Sequence, residues 1–287
     1  METLKNKIDF AVIVNVNNAN PNGDPLNGNR PRVNYDGLGE LSDVCIKRKI
    51  RNRLMEAGNA IFVQSDDNRI DDYRSLRSRA EGQLKNIDMK DDVKYREEAC
   101  KKWIDVRAFG QVFAYKGGED KGVGVSIGIR GPVSIHSAFS VSPISISSIQ
   151  ITKSVSGEGD GIKRASDTMG MKHRVDHGVY VFYGSMNPQL ASKPGFSDND
   201  ALEIKQALKN LFQNDASSAR PEGSMEVYKV YWWEHNCKNG QYSSAKVHRS
   251  LNVSLKPGVT EPKNIVEDYD ICLQELPSLT PEIIDGI

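Results

Sequence analysis

A two-residue repeat near the start of the chain predicts the first strand. Every second residue from Ile8 to Val16 is large and apolar, which is the period of a strand with one buried face. Residues 17–41 then hold three prolines and seven asparagines, which excludes a helix or a central strand and predicts irregular chain. An irregular segment of this length inside a compact domain is more often functional than accidental.

A four-residue repeat predicts the first helix. Ile46, Ile50 and Leu54 lie four residues apart, so they share one helix face. Ser42 can cap this helix at its start and Gly58 can end it in a left-handed conformation. We therefore expect a helix between these two residues.

A polar region separates this helix from the later strands. Residues 58–104 contain two Glu–Lys pairs at four-residue spacing with Glu first, which stabilises helices, and we interpret the region as a helical insertion. Its acidic stretch, 65–72, lacks the glycine and closing glutamate of a calcium loop and is interpreted as a solvated loop. Apolar residues at helical spacing predict a second amphipathic helix over 201–211.

Strand periodicity returns after the insertion. Strands are predicted over 105–115, within 122–132 and over 175–183. In the second of these, valine and isoleucine form one face, and glycine and serine form the other. A face without large side chains either packs under a neighbouring element or lets a ligand approach, and both interpretations stay open.

Two hairpins complete the predicted fold. Residues 139–168 are serine-rich with alternating isoleucines, which is typical of a protruding hairpin. Asn239-Gly240 stands between the apolar stretches 225–235 and 242–255, a strong hairpin signal. The order of strand, helix, strands, helix and strands predicts an α+β fold of the split βαβ kind carrying insertions.

Composition narrows the classes of function. The 287 residues are 38% hydrophobic and 26% charged, as in a soluble globular protein, and 38 basic residues balance 38 acidic ones. An argument for a nucleic-acid partner must therefore come from local clusters of charge. Four separated cysteines are typical of buried free thiols in a reducing compartment. With neither a signal peptide nor a membrane segment, we expect a cytoplasmic protein.

The sharpest local feature is the basic character of the first helix. Between residues 43 and 57, five basic residues stand against two acidic ones, a local charge of +3. Lys47 and Arg51 lie one turn apart beside the apolar stripe, so both can point to the same edge of the sheet. Cations stacked in this way suit successive phosphates. A solvated helix face is the alternative interpretation.

Other polar clusters give weaker signals. A second basic cluster consists of Lys163, Arg164, Lys172 and Arg174. His173 and His177 are about 13 Å apart on a strand, too far for one metal ion. No nucleophile–base pattern is visible, so we expect no catalytic residue, metal or cofactor. The asparagine-rich loop, 17–25, suits a sugar–phosphate chain because short amides both donate and accept hydrogen bonds.

Four motifs, taken in order, resemble one family. They are NANPNGDPLNGNRPR at 18–32, SDVCIKRKIRN at 42–52, IRGPVSI at 129–135 and DTMGMKHRVDHGVY at 167–180. They closely resemble the backbone subunits of the type I-C CRISPR surveillance complex, Cascade, which belong to the RAMP superfamily. The match is weakest in the helical insertion and near the end of the chain.

This resemblance implies both a fold and a function. It implies an RRM-like palm (residues 1–57 and 105–287), a helical fingers insertion (58–104) and a β-hairpin thumb within the palm (139–168). Copies of such a protein line up along a guide RNA (crRNA) and hold its backbone, so that the bases pair with target DNA, while the neighbouring copy's thumb displaces one nucleotide. The implied partners are crRNA, target DNA through the guide, other copies and other Cascade subunits, without a membrane and without enzymatic activity.

The resemblance also implies which residues contact RNA. They are Asn20, Asn22, Lys47, Arg48, Lys49, Arg51, Arg130, Lys153, Met169, Lys172, His173 and Arg174. A guide must be held by its phosphates and sugars so that its base edges stay free. No aromatic-rich RNP1 pattern occurs in the predicted strands, which agrees with a sequence-independent grip.

An RNA-cutting enzyme is one alternative. Some RAMP proteins cleave repeat RNA, and backbone subunits of type III complexes cut target RNA with an acidic residue in the loop after the first strand. Asp24 and Asp36 occupy that loop here, although Asp24 in Gly-Asp-Pro is typical of a turn. A scaffold without an RNA role is the other alternative.

Overall fold

The structure, a computed structural model, describes residues 2–85, 87–88, 91–115, 125–152 and 169–287. Its strands are β1 (Ile8–Ala19), β2 (Gly23–Asp24), β3 (Arg30–Pro31), β4 (Leu38–Leu41), β5 (Gly110–Tyr115), β6 (Val125–Arg130), β7 (Val133–Ile135), β8 (Ala138–Pro143), β9 (Ile146–Thr152), β10 (Met169–Met186), β11 (Met225–Glu234), β12 (Leu251–Leu255), β13 (Tyr269–Leu273) and β14 (Glu282–Asp285). Its α-helices are α1 (Asp43–Glu56), α2 (Leu76–Gln83), α3 (Asp92–Lys102), α4 (Ile104–Phe109), α5 (Pro188–Ala191), α6 (Asp198–Lys209), α7 (Ser244–Ser250) and α8 (Ile265–Asp268).

A large antiparallel sheet organises the described residues. Its main path runs in the order β14-β11-β1-β10-β8-β4, and β7 and β9 also pair with β10. The elements β1, α1, β8, β10, α6 and β11 follow one another along the chain, and their strands lie side by side as β11-β1-β10-β8. The expected α+β class is confirmed, since helices accompany a large antiparallel sheet.

The central strand β1 is buried on both faces. Phe10, Val12 and their neighbours in the repeat pack with α1 and α6 in one hydrophobic core. Ala11 and Ile13 pack in a second core with α7, β12 and β13. The prediction of one buried face is wrong, because a second layer covers the sheet. Full burial of a side chain such as Phe10 contributes about 1.5–3 kcal/mol.

The two predicted helices are confirmed by their caps and buried faces. The Ser42 hydroxyl accepts a hydrogen bond from the Cys45 amide at the start of α1, and Gly58 adopts a φ of +90° just after its end. Ile46 and Ile50 are fully buried against the sheet. Helix α6 begins with a capping box between Ser197 and its third residue.

The helical insertion has a hydrophobic core of its own. Phe62, Trp103 and Phe113 pack with residues of α3 and β6 in this third core, so the hairpin of β5 and β6 belongs with the insertion rather than with the main sheet. The predicted strand over 105–115 is wrong in its first half, which forms α4. The Asp105 carboxylate stabilises that turn of chain because it accepts hydrogen bonds from the amides of Phe62 and Val63.

Three further predictions differ from the structure. Within 65–72, Asp71 is not a solvated loop residue, because it pairs with Arg79, which is 3% exposed. The predicted hairpin at Asn239-Gly240 is wrong. Strands β1 and β14 pair with the two edges of β11, so the chain after β11 cannot pair with it and forms α7 instead. The four thiols are free, yet Cys237 and Cys272 are exposed. No helix in the described ranges is long and apolar enough to cross a membrane.

A buried carboxylate joins β1 to the second layer. Asp9 is inaccessible to solvent, and its Oδ2 lies 2.9 Å from His235 Nε2 and 3.2 Å from Lys7 Nζ. Burial opposes the charged form, but contacts with His235, His248, Ser244 and Lys7 outweigh it and hold the pKa of Asp9 well below its usual range. The charged carboxylate therefore stabilises the folded state.

We predict that Asp9→Asn lowers the free energy of unfolding by about 3 kcal/mol at pH 7, because it removes the charge from a buried pair. The folded pKa of Asp9 is depressed, so its stabilisation is complete above the unfolded pKa of about 3.9 and declines as the pH falls further. Urea unfolding should thus show a smaller difference between wild type and variant at pH 3 than at pH 7. Equal differences at both pH values would contradict this assignment.

Candidate nucleic-acid interface

Three segments singled out in the sequence are joined by strand contacts and hydrogen bonds. Ala19, at the end of β1, pairs with Val175 of β10, and β3 lies against β10. The loop after β1 also contacts the start of α1, because Asn22 bonds to Ser42. We call the surface formed by residues 20–32, 42–48 and 169–174 the thumb-base surface.

Asparagines shape the loop of this surface. Asn22 Oδ1 accepts hydrogen bonds from the amide and the hydroxyl of Ser42, each 2.9 Å long, and so holds the N-cap of α1. Asn20 Nδ2 donates to the Asn29 carbonyl, and Asn20 is only 3% exposed. Asn20 is therefore a structural residue rather than a surface contact. Asp24 Oδ1 accepts from the Leu26 amide, as expected of a turn residue.

The basic residues of α1 fall into two groups. Arg48 is exposed, and Lys47 is partly exposed and lies 3.0 Å from Asp43. Lys49, by contrast, is 2% exposed and pairs with Asp215. Arg51 Nε donates to Asp105 Oδ2 at 2.9 Å. The predicted common direction of Lys47 and Arg51 is therefore wrong, and neither Lys49 nor Arg51 presents its charge at the surface.

Helix geometry explains this division. Lys49 lies one residue before Ile50, so its aliphatic stem is buried between α1 and the chain that follows α6, and its ammonium group lies 5.3 Å from the centre of the Phe212 ring. Burial lowers the pKa of Lys49 although Asp215 opposes this shift. Asp215 also accepts from Arg220 Nε at 3.0 Å. The ion pairs of Asp215 therefore connect α1 to the loop after α6. In that loop the Ala219 carbonyl accepts a hydrogen bond from the Asn20 amide.

The start of β10 pairs with β9 to form an exposed two-stranded ribbon. Met169 is 65% exposed, Lys172 is half-buried, and His173 Nδ1 lies 2.8 Å from Ser148 Oγ. Arg174 Nε is 4.0 Å from Asp176. The first residues of the predicted thumb, 139–168, lie in β8, which pairs with β10 and β4 in the main sheet. Lys153 and the rest of that prediction beyond residue 152 lie outside the described residues.

Two arginines of the loop complete the surface and were not assigned from the sequence. Arg30 is half-buried in β3, and the side chain of Arg32 is 36% exposed, 3.6 Å from Asp24. Both belong to the motif NGNRPR, in which two arginines close together indicate a basic surface. The burial of Lys49 and Arg51 could not be predicted in this way, because their acidic partners, Asp215 and Asp105, are distant in sequence.

Arg130 lies elsewhere in the molecule. It ends β6 and precedes β7, which pairs with the last residues of β10 at Met186. Val133 of β7 pairs with Met186, eleven residues along β10 from Val175, the partner of Ala19 at the end of β1. Arg130 is therefore not part of this surface.

The assembled surface is cationic within a neutral chain. Its three segments hold six basic and two acidic residues, a charge of +4, whereas the whole chain has a net charge of 0. Exposed guanidinium and ammonium groups at several positions suit a chain of phosphates. The described residues contain no group of three histidine, cysteine or acidic side chains that could hold a metal ion.

Known proteins similar to this chain share one description. The family model of CRISPR-associated protein Cas7 matches residues 6–274. A CRISPR-associated protein Cas7 from Haloferax volcanii is 25% identical over 231 residues, which cover 75% of this chain and 67% of that relative.

Two solved structures are also similar. A chain of a CRISPR RNA-guided surveillance complex, pre-nicking, aligns over 89% of this chain and 84% of its own length, with 14% identity and a TM-score of 0.50. A chain of another CRISPR RNA-guided surveillance complex aligns over 79% of this chain and 68% of its own length, with 17% identity and a TM-score of 0.42. The first likeness supports the fold.

Substitutions in the two groups of cations on α1 should lower the free energy of unfolding by different amounts. Lys49→Met should lower the free energy of unfolding by about 3 kcal/mol, because Asp215 loses a buried partner. Arg48→Ala should change it by no more than about 0.5 kcal/mol, because Arg48 is exposed. Urea unfolding of both variants measures the difference, and similar losses of stability would contradict the division.

Proposed function

This chain belongs to the CRISPR-associated protein Cas7 family, and from that premise we propose that it is the crRNA-binding backbone subunit of a type I-C Cascade complex. Copies assemble side by side along the crRNA in the cytoplasm, together with other Cascade subunits. Each copy holds the sugar–phosphate backbone of a guide segment without cutting it. The bases then remain free to pair with target DNA.

The observation that carries this proposal is the convergence of the three segments of the thumb-base surface. Asn22 fixes the start of α1 relative to the loop, so Arg32 and Arg48 are presented from connected elements. A row of separate cations attracts phosphates whatever the base sequence. The neutral total charge lets copies pack closely without strong mutual repulsion.

The architecture fits the parts of such a subunit. The order β11-β1-β10-β8 with α1 and α6 is that of a split βαβ unit, and we assign it to an RRM-like palm. We assign α2 and α3 to the fingers, and their common core with β5 and β6 supports a fingers unit that extends to Arg130 rather than ending at residue 104. The ribbon of β9 and β10 forms the base of the thumb.

The function is tested by recovering nucleic acid from the purified protein after nuclease digestion. The proposal predicts protected RNA with a regularly repeating footprint. Absence of protected RNA would contradict it. Site-specific cuts in added guide or matched target RNA, dependent on a divalent metal and lost on Asp24→Ala, would assign the protein to the nucleases instead.

The RNA contacts are tested by the double variant Lys47→Ala/Arg48→Ala. Loss of two charged contacts should weaken binding to single-stranded RNA at least about tenfold, equally for all sequences. The log–log salt slope should flatten by about 0.7 for each lost contact. Fluorescence anisotropy measures both quantities.

A matched control removes the same charge elsewhere. Lys5 and Lys101 are 61% and 67% exposed and lie outside the thumb-base surface. Lys5→Ala/Lys101→Ala should therefore leave affinity and salt slope close to those of the wild type. Equal effects of the two double variants would mean that the thumb-base surface is not the binding surface.

A further inference from the structure

A cavity of about 530 Å³ lies outside the thumb-base surface. It lies between α3 of the insertion, β6 and the segment that contains α5 and the residues after it. Its volume is within the range of sites that bind small molecules, about 300–1,000 Å³. None of its lining residues belongs to the thumb-base surface, so the cavity is distinct from the surface assigned to the guide.

Cations from three separate elements line this cavity. They are Arg96 on α3, Arg130 at the end of β6 and Lys193 after α5. Asp92 accepts a hydrogen bond from Arg96 Nη2 at 2.8 Å on the exposed side of α3. Among the described residues, the cavity lining includes no carboxylate, and neither Arg130 nor Lys193 has an acidic partner. The cavity is therefore suited to an anion.

The guanidinium group of Arg96 is not saturated by the protein. Its Nε is buried and has no hydrogen-bond partner among the described residues. The neighbouring Cys100, one helical turn further along α3, does not compete as an anion, because burial raises the pKa of its thiol to about 11. The wall of the cavity on α3 therefore combines one arginine with one neutral thiol at neutral pH.

The remaining walls are apolar or bare. Ile129, Leu190 and Pro194 contribute apolar groups. Gly128 lies on the face of β6 that has no large side chains, and a Cβ added there would meet no atom within 4 Å. Of the two interpretations of this glycine-rich face, the open one is correct at Gly128, so a ligand can approach the backbone of β6 closely.

We propose that this cavity binds one nucleotide. Arg96, Arg130 and Lys193 hold its phosphate, and the apolar wall with the bare backbone at Gly128 receives its base and ribose. The planar forks of two arginines match phosphate oxygens, and a flat base fits a wall without side chains better than an acidic peptide segment does. The nucleotide is either free or a unit of a nucleic-acid strand other than the bound guide segment. The proposal rests on the cavity alone and stands whether or not the thumb-base surface binds crRNA.

Filling the cavity tests the proposal without changing any charge. Gly128→Leu places a side chain in open space, so the fold should be kept, as circular dichroism and thermal unfolding can verify. Uridine monophosphate should bind the wild-type protein in isothermal titration calorimetry, and Gly128→Leu should weaken this binding at least tenfold. Lys193→Ala should weaken it as well. Lys47→Ala/Arg48→Ala should leave it unchanged, which separates this site from the proposed guide site.

Single-stranded decauridylate distinguishes the two sources of the nucleotide. Tighter binding of decauridylate than of uridine monophosphate to Lys47→Ala/Arg48→Ala, lost on adding Gly128→Leu, indicates a nucleotide within a strand. Binding of uridine monophosphate alone indicates a free nucleotide. Failure of both probes to bind, or equal binding by wild type and Gly128→Leu, would overturn the proposal. So would binding of a pentaglutamate peptide in place of either probe.

Discussion

The structure depends on how helix α1 is both packed against the sheet and rich in cations. Helix α1 must bury one side against the sheet, yet it carries five cations in four turns. The fold supplies carboxylates from distant segments to two of the inward cations, Asp215 to Lys49 and Asp105 to Arg51, and the buried Arg53 pairs with Glu56 on the same helix. The pairs with Asp215 and Asp105 fix α1 to two other parts of the molecule. The exposed Arg48 and the partly exposed Lys47 remain accessible to a polyanion.

Patterns among neighbouring residues predicted the helices and strands that depend mainly on local interactions. The N-cap at Ser42, the apolar stripe of α1 and the alternation in β1 and β10 are written in neighbouring residues, and the structure contains each of them. Contacts between distant residues were not predictable in this way. The second layer that covers β1, and the pairing of β11 with β14 that excludes a hairpin after Glu234, depend on segments far apart in the chain.

The candidate site shows the same limit at the level of side chains. The sequence identified the segments that meet at the thumb-base surface, but it did not separate the residues that face outward from those that position them. Asn20 donates to the Asn29 carbonyl and Lys49 pairs with Asp215, and both side chains are buried. Arg130 shares a motif with its neighbours, yet it ends β6 and lines a cavity outside the thumb-base surface. The paired arginines Arg30 and Arg32 are the part of the surface that the sequence pattern alone could have indicated.

Lysine acetylation footprinting with mass spectrometry tests the central claim most directly, because it reports the exposure of each ammonium group with and without single-stranded RNA. The account predicts that Lys47 and Lys172 react in the free protein and are protected by RNA. Lys49 should stay unreactive in both states, and Lys101 should react equally in both. Reactive Lys49, or equal labelling of Lys47 and Lys172 with and without RNA, would contradict the division of cations on which the account depends.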